Sequence, residues 1–156
     1  MPAIPAKPPA GAKVVFDFEQ AVWTGWQRSG PAWGDGPTAQ STPGQDLVLG
    51  ATGKRFATSM FGGDAAIGRV TSPPFTLDGA RMTIKLGGGT DATKLRVELW
   101  VDRQLARTTS VPSLGGDQLH DVTIDLGDLR GKQATLVFVD DSPTSHLDVD
   151  DVWLWK

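Results

Sequence analysis

The chain has 156 residues, 39% hydrophobic and 21% charged, enough for one globular domain with a single core and too apolar for a disordered chain. A net charge of −3 without a basic run argues against nucleic acid or an anionic membrane as partner. No apolar segment approaches a bilayer span. The absence of cysteine excludes thiolate chemistry and disulfides and leaves the redox compartment open.

Residues 1–13 (MPAIPAKPPAGAK) are Pro/Ala-rich, without periodicity or the long apolar core of a signal peptide. They read as an extended linker from which a domain over 14–156 hangs, attached to a larger parent protein. Val14 to Glu19 reads as a first short strand carrying the acids Asp17 and Glu19. Next comes a region punctuated by Gly and Pro that holds Trp23, Trp26 and Trp33, half of the six tryptophans. Its indoles either plug the open end of a sandwich or form a ligand-facing rim.

From Leu47 strand signals recur: Leu47–Leu49, Arg55–Met60, Gly68–Ser72, Phe75–Leu77 and Met82–Leu86, the last stopping at Gly87-Gly88-Gly89. Lys94–Val101 alternates cleanly, with Leu95, Val97, Leu99 and Val101 on one side and Arg96, Glu98 and Trp100 on the other. A tight turn at Asp102-Arg103 leads to Leu105–Thr109, and Leu119–Leu126, Ala134–Val139 and a terminal strand complete the set. About nine to eleven short strands with turns at roughly ten-residue spacing predict an all-β, antiparallel sandwich or jelly roll with almost no helix.

The terminal strand, read over Ser145–Trp155, contains Asp148, Asp150 and Asp151. Three carboxylates beside a buried strand must stay wet, be paired or hold a cation, because desolvation and mutual repulsion cost several kcal/mol. If the two terminal strands pair, Glu19 or Asp17 joins Asp148, Asp150 and Asp151 in an all-oxygen set that suits Ca²⁺. The alternative is a solvated edge with Lys or Arg partners.

Other chemistry finds little support. Gly53-Lys54 lacks the Ser/Thr of a phosphate loop, since Arg55 follows, and Gly87-Gly88-Gly89 has no helix behind it and reads as a turn or bulge. Of the two histidines, His120 lies within a strand, whereas His146 abuts the acidic strand at a loop edge, where it can touch a ligand. No spacing sets two acids across a cleft as a glycosidase needs. Trp100, outward beside Glu98 and Arg96, is suited to stack on the C–H face of a sugar ring while its neighbours bond hydroxyls, unless the loop of residues 23–33 covers it.

Phe18-Glu19, Gly25-Trp26 and Val149–Leu154 resemble the two ends of jelly-roll carbohydrate-binding modules with a galactose-binding-like fold. Gly53–Ser59, Gly63–Gly68, Thr71–Phe75, Gly87–Gly89, the Leu99–Leu105 hairpin, Gly131-Lys132 and Val139-Asp140 resemble the accessory sandwich beside fructan- and levan-degrading glycoside hydrolases. That resemblance, over about residues 14–155, implies a structural Ca²⁺ on Glu19 and on Asp150 or Asp151. It departs before the last strand, where a Trp-Gly-His-like approach is replaced by Thr144-Ser145-His146. The combined expectation is a non-catalytic, calcium-stabilised, monomeric module that targets a larger secreted protein to a polysaccharide or other glycan. Its site is expected at Trp100, Arg96 and Glu98, or at a loop site near Asp64, Asp140 and His146. A structural or protein-interaction module without a sugar site is the alternative, and a hydrolase the third class.

Overall fold

Eleven strands in two antiparallel sheets, face to face, make up a computed structural model that describes residues 8–112 and 115–156. Residues 1–7 of the expected linker lie outside the described residues. The first sheet runs β1 (Ala12–Phe16), β11 (Leu147–Trp155), β6 (Arg81–Gly88), β9 (Gly116–Asp125), with the short β3 (Ala57–Thr58) beside β1 on the same edge of β11. The second runs β2 (Gln27–Ser29), β4 (Gly68–Thr71), β10 (Gln133–Asp140), β7 (Leu95–Val101), β8 (Gln104–Thr109), with β5 (Phe75–Thr76) also on β10. A 3-10 turn at Gly127–Leu129 is the helical segment among the described residues.

The period-two pattern places the core. Leu95, Val97 and Leu99 on β7 and Leu136 and Phe138 on β10 are fully buried and meet Ile84 and Leu86 of β6 and Val149 and Val152 of β11. The alternation expected for β7 is realised: Arg96, Glu98 and Trp100 lie on the outer face of the second sheet. Asp102 and Arg103 close the β7–β8 hairpin with φ of 52° and 63°, the left-handed pair that matches a two-residue turn to the twist of its strands.

Several boundaries differ from expectation. β1 begins at Ala12, so Ala12 and Lys13 are strand rather than linker, drawn in because Ala12 pairs with Trp155 and Lys13 with Leu154. β1 also ends at Phe16, before Asp17 and Glu19, because Phe18 turns to φ 60°. Leu47–Leu49 is not a strand; it touches β9 through one parallel bridge, Leu49 to Gln118. Gln27–Ser29 pairs with β4 although all three residues are exposed and carry no apolar signal. Gly87 forms a bulge at the end of β6, as its sequence suggested.

The tryptophan-rich region plugs the sandwich. Trp23, Trp26, Trp33, Phe18 and Phe138 form a contiguous aromatic cluster with ring centroids 5.0 to 6.5 Å apart. The Trp23 indole donates to the Trp33 carbonyl and the Trp33 indole to the Gly68 carbonyl, each at 3.1 Å, so neither leaves a buried donor unpaired. The chain enters this cluster by a close backbone approach: a Cβ on Gly36 would lie 2.0 Å from the Ala21 oxygen. Phe138 anchors the cluster to β10, so Phe138→Ala should cost about 3–5 kcal/mol. Urea unfolding should show a lower midpoint with an unchanged slope.

Candidate functional site

The outer faces of the two sheets differ. Over the first sheet, residues 38–56 fold back as a cover with its own small apolar cluster, Val48, Ala51 and Phe56 against Leu119 of β9. Beneath this cover lie the acids of β11. Asp148 and Asp150 share a face by strand alternation, and a bulge at Asp151 (φ 46°) keeps it from opposing a residue of β6. All three are 0–1% exposed.

The cover separates these acids into two groups. In the first, the Thr52 amide donates to Asp150 Oδ2 at 2.8 Å and the Thr52 hydroxyl to Asp151 at 2.5 Å. Glu19 accepts from the amides of Lys54 and Arg55 at 2.6 and 3.0 Å. The Gly53-Lys54 loop thus cradles the protein's own carboxylate, and Gly53 (φ 66°) stands where any Cβ would collide with it. Asp17 and Glu19 both bear electrostatically on Asp151. Burial, then the charges of Asp151 and Glu19, pushes the Asp150 pKa up to about 9, and burial raises that of Asp151. Lys85, in register with Asp150, bonds Asp121 at 2.7 Å instead. Asp150 Oδ1 has no partner.

Asp148 does not join that group, contrary to expectation. Two residues along a strand is about 7 Å, and Gln45 and Thr58 bind its Oδ1 at 2.8 and 2.7 Å. It faces His146, whose Nε2 lies 3.5 Å from Asp148 Oδ2 and 2.5 Å from Asp117 Oδ1. His146 Nδ1 is 2.7 Å from Asp64. Burial opposes the imidazolium, but the Asp148, Asp117 and Asp64 carboxylates outweigh it and push the His146 pKa up to about 10. Asp140 is fully buried nearby, with its Oδ1 accepting from the Ser142 amide; burial raises its pKa to about 6. Of the loop trio, His146 and Asp64 are therefore in direct contact, whereas Asp140 acts on His146 only through its charge. Gln45 and Asp117 carried no sequence signal, since one sits in an aperiodic loop and the other at a glycine-flanked strand end.

The second sheet's outer face is open around Trp100, and the region of residues 23–33 does not cover it, because its indoles turn into the core. Trp100 is half-buried and its indole donates to Glu98 Oε1 at 3.1 Å. Glu98 Oε2 accepts from Arg96 Nε at 2.8 Å, and Arg96 also donates to the Thr93 carbonyl. Grooves of about 380 and 300 Å³ flank the ring and share Thr71 and Val137 as floor. Asp102, Arg103 and Gln133 line one; Gln27, Ser29 and Arg69 line the other.

No protein-family model matches the chain. A curated Aspergillus rugulosus protein named as a glycosyl hydrolase, ecdE, is 25% identical over 149 residues, covering 92% of this chain; the chain spans 21% of that protein's length. Among solved structures, TmCBM61 in complex with β-1,4-galactotriose superposes with a TM-score of 0.58 at 15% identity, covering 90% of this chain and 94% of that one. The K1 cleaved adhesin domain of Lys-gingipain from Porphyromonas gingivalis gives 0.54 at 14% identity, covering 91% and 96%. The C-terminal extracellular domain of Mycobacterium tuberculosis EmbC gives 0.55 at 13%, covering 97% and 64%. The fold is the antiparallel β-sandwich that carbohydrate-binding modules adopt. Adhesin domains share it, so fold alone does not choose the ligand.

Glu98 is 5% exposed and is the acceptor that holds both Trp100 and Arg96. Glu98→Ala leaves the buried end of this relay unpaired and should cost about 1–3 kcal/mol in urea unfolding. An unchanged midpoint would show that Glu98 does not pin the ring.

Proposed function

We propose that this chain is a non-catalytic glycan-binding module whose site is the Trp100 face of the second sheet, within a larger, secreted protein. The observation that carries this reading is a half-buried indole whose edge is tied to Glu98 while grooves open along both sides. A pinned indole offers a sugar ring a preorganised platform at small entropic cost, and Arg69, Asp102, Arg103 and Gln133 supply hydroxyl partners around it. The fold shared with a galactotriose-bound module supports a sugar as ligand, and the match within a longer glycosyl hydrolase supports a place in a multidomain parent. The loop trio is less suited to a sugar, because His146 and Asp64 already bond each other.

Affinity electrophoresis against levan, inulin and β-1,4-galactan, with Trp100→Ala run alongside, tests the reading. Retardation on one polysaccharide, weakened about tenfold or more in the variant (about 1.4 kcal/mol), is the expected result. Retardation unchanged by the variant moves the site to the loops near Asp64 and His146. No retardation of the folded protein on any polysaccharide favours a protein-interaction module.

The same module is calcium-stabilised in this reading, through Asp150 and Asp151 with Glu19 or Asp17. The donors are all oxygen, Asp150 Oδ1 is buried without a partner, and no Lys or Arg among the described residues pairs with Asp150, Asp151 or Glu19. Bound Ca²⁺ would neutralise repulsion that burial intensifies. Chelator should lower the melting temperature by several degrees and added Ca²⁺ restore it by mass action. Asp150→Asn should melt at or above wild type in chelator, because the neutral amide keeps an acceptor for the Thr52 amide and cannot ionise against Asp151 and Glu19, and below it in Ca²⁺. Superimposable wild-type curves with and without chelator would sink the calcium assignment.

A further inference from the structure

We propose a second metal site, separate from the calcium position and from the Trp100 face: Asp148 Oδ2, Asp117 and His146 Nε2 bind one first-row transition dication of the Zn²⁺ type, with Asp64 orienting the imidazole from behind. The three donor atoms lie within 4.8 Å of one another, the one such grouping of His and carboxylate ligands among the described residues. They come from different elements: Asp117 from the start of β9, His146 from the turn before β11, and Asp148 from β11 itself.

An acidic cluster alone would say little. What points to a ligand is Asp148, whose residue is 0% exposed and whose Oδ2 is directed at the cluster without a hydrogen-bond partner. Gln45 and Thr58 hold its other oxygen at 2.8 and 2.7 Å, so this orphan cannot rotate away to find one. The His146 ring 3.5 Å away brings this oxygen charge but no hydrogen bond, because its Nε2 is engaged by Asp117 Oδ1 at 2.5 Å, and a buried oxygen without a hydrogen bond costs free energy.

The geometry suits a small dication. Donor atoms on a tetrahedral ion with bonds of about 2.0–2.2 Å stand about 3.4 Å apart, and His146 Nε2 and Asp148 Oδ2 are 3.5 Å apart. Asp117 Oδ1, at 2.5 Å from Nε2, would swing outward by about 1 Å on the same geometry. Asp117 and His146 line a cleft of about 320 Å³ together with Gly88, Gly89 and Gly116, which gives an ion a way to these two donors. His146 is held in place by Asp64 at Nδ1, 2.7 Å away, and by the Gly89 amide on its carbonyl at 2.9 Å. A carboxylate on the far nitrogen of an imidazole is the usual support of a metal-bound histidine. On binding, the ion takes the place of the Nε2 proton, which leaves to solvent. The nitrogen donor and the small cavity select against Ca²⁺, which prefers an all-oxygen shell of six or more ligands.

The charge balance agrees. Three carboxylates, Asp64, Asp117 and Asp148, surround one imidazole, and Asp140 adds a fourth acid nearby. An imidazolium supplies one positive charge to this group, whereas a dication on a neutral imidazole supplies two.

The test uses the tag-free, Ca²⁺-saturated 156-residue chain, so that the oxygen-only position is filled. Calorimetric titration with Zn²⁺ should give one site, and Co²⁺ should develop a visible d–d band. Because the chain has two histidines, NMR can read them separately: Zn²⁺ should shift the His146 imidazole and leave His120 unmoved. His146→Gln and Asp117→Asn should abolish the band, and Asp64→Asn should weaken binding about 10- to 100-fold. If His146→Gln misfolds, the near-isosteric Asp117→Asn, checked by circular dichroism, carries the test. Unmoved His146 resonances, equal Zn²⁺ affinity in wild type and Asp117→Asn, or loss of Zn²⁺ binding in excess Ca²⁺ would each overturn the proposal. Polysaccharide retardation is measured in the same variants, and its survival when Zn²⁺ binding is lost separates this site from the glycan site.

Discussion

The desolvation of the β11 carboxylates is the constraint on which the rest of this sandwich turns. A solvent-facing strand could carry Asp148, Asp150 and Asp151 at little cost, but residues 38–56 cover that face and bring all three to 1% exposure or less. The polar groups that the cover contributes, Gln45 and Thr52, and Thr58 of the adjoining β3 are spent on these acids. Three carboxylate oxygens, on Asp140, Asp148 and Asp150, are still left without partners. Structures tolerate such groups when a cation, a water or a function accounts for them.

That covering also divides labour between the faces. The first sheet's outer face, closed by the cover, holds the acids in two separate compartments. The second sheet's outer face is open, and its one large aromatic is Trp100, fixed in orientation through Glu98 and Arg96. Between the faces, the indoles of residues 23–33 seal one end of the core, so the barrel of aliphatic side chains is closed without help from a disulfide. The Trp100 face and the acids beneath the cover therefore lie on different strands and loops and can be perturbed independently.

The fold was legible in the chain because strand periodicity is local. Leu95 to Val101 and Ala134 to Val139 announce which side chains face the core, and Asp102-Arg103 marks the hairpin between β7 and β8. Leu47–Leu49 misled for the same reason: a short apolar run is ambiguous, and here it caps an outer face rather than pairing in a sheet. Gln27–Ser29 was invisible, because an edge strand paired on one side needs no apolar residue.

The sequence by itself determined the β-sandwich and the outward position of Trp100, since both follow from alternation along single strands; that the terminal strands pair was only a condition there, and the fold decided it. Only the tertiary structure decided how the acids are grouped. Asp148 and Asp150 are two positions apart in sequence, yet Gln45, Asp117 and His146 claim the first and Thr52 adjoins the second. Gln45 is 103 residues from Asp148, Thr52 98 from Asp150 and Asp117 29 from His146, and no local pattern encodes contacts of that range.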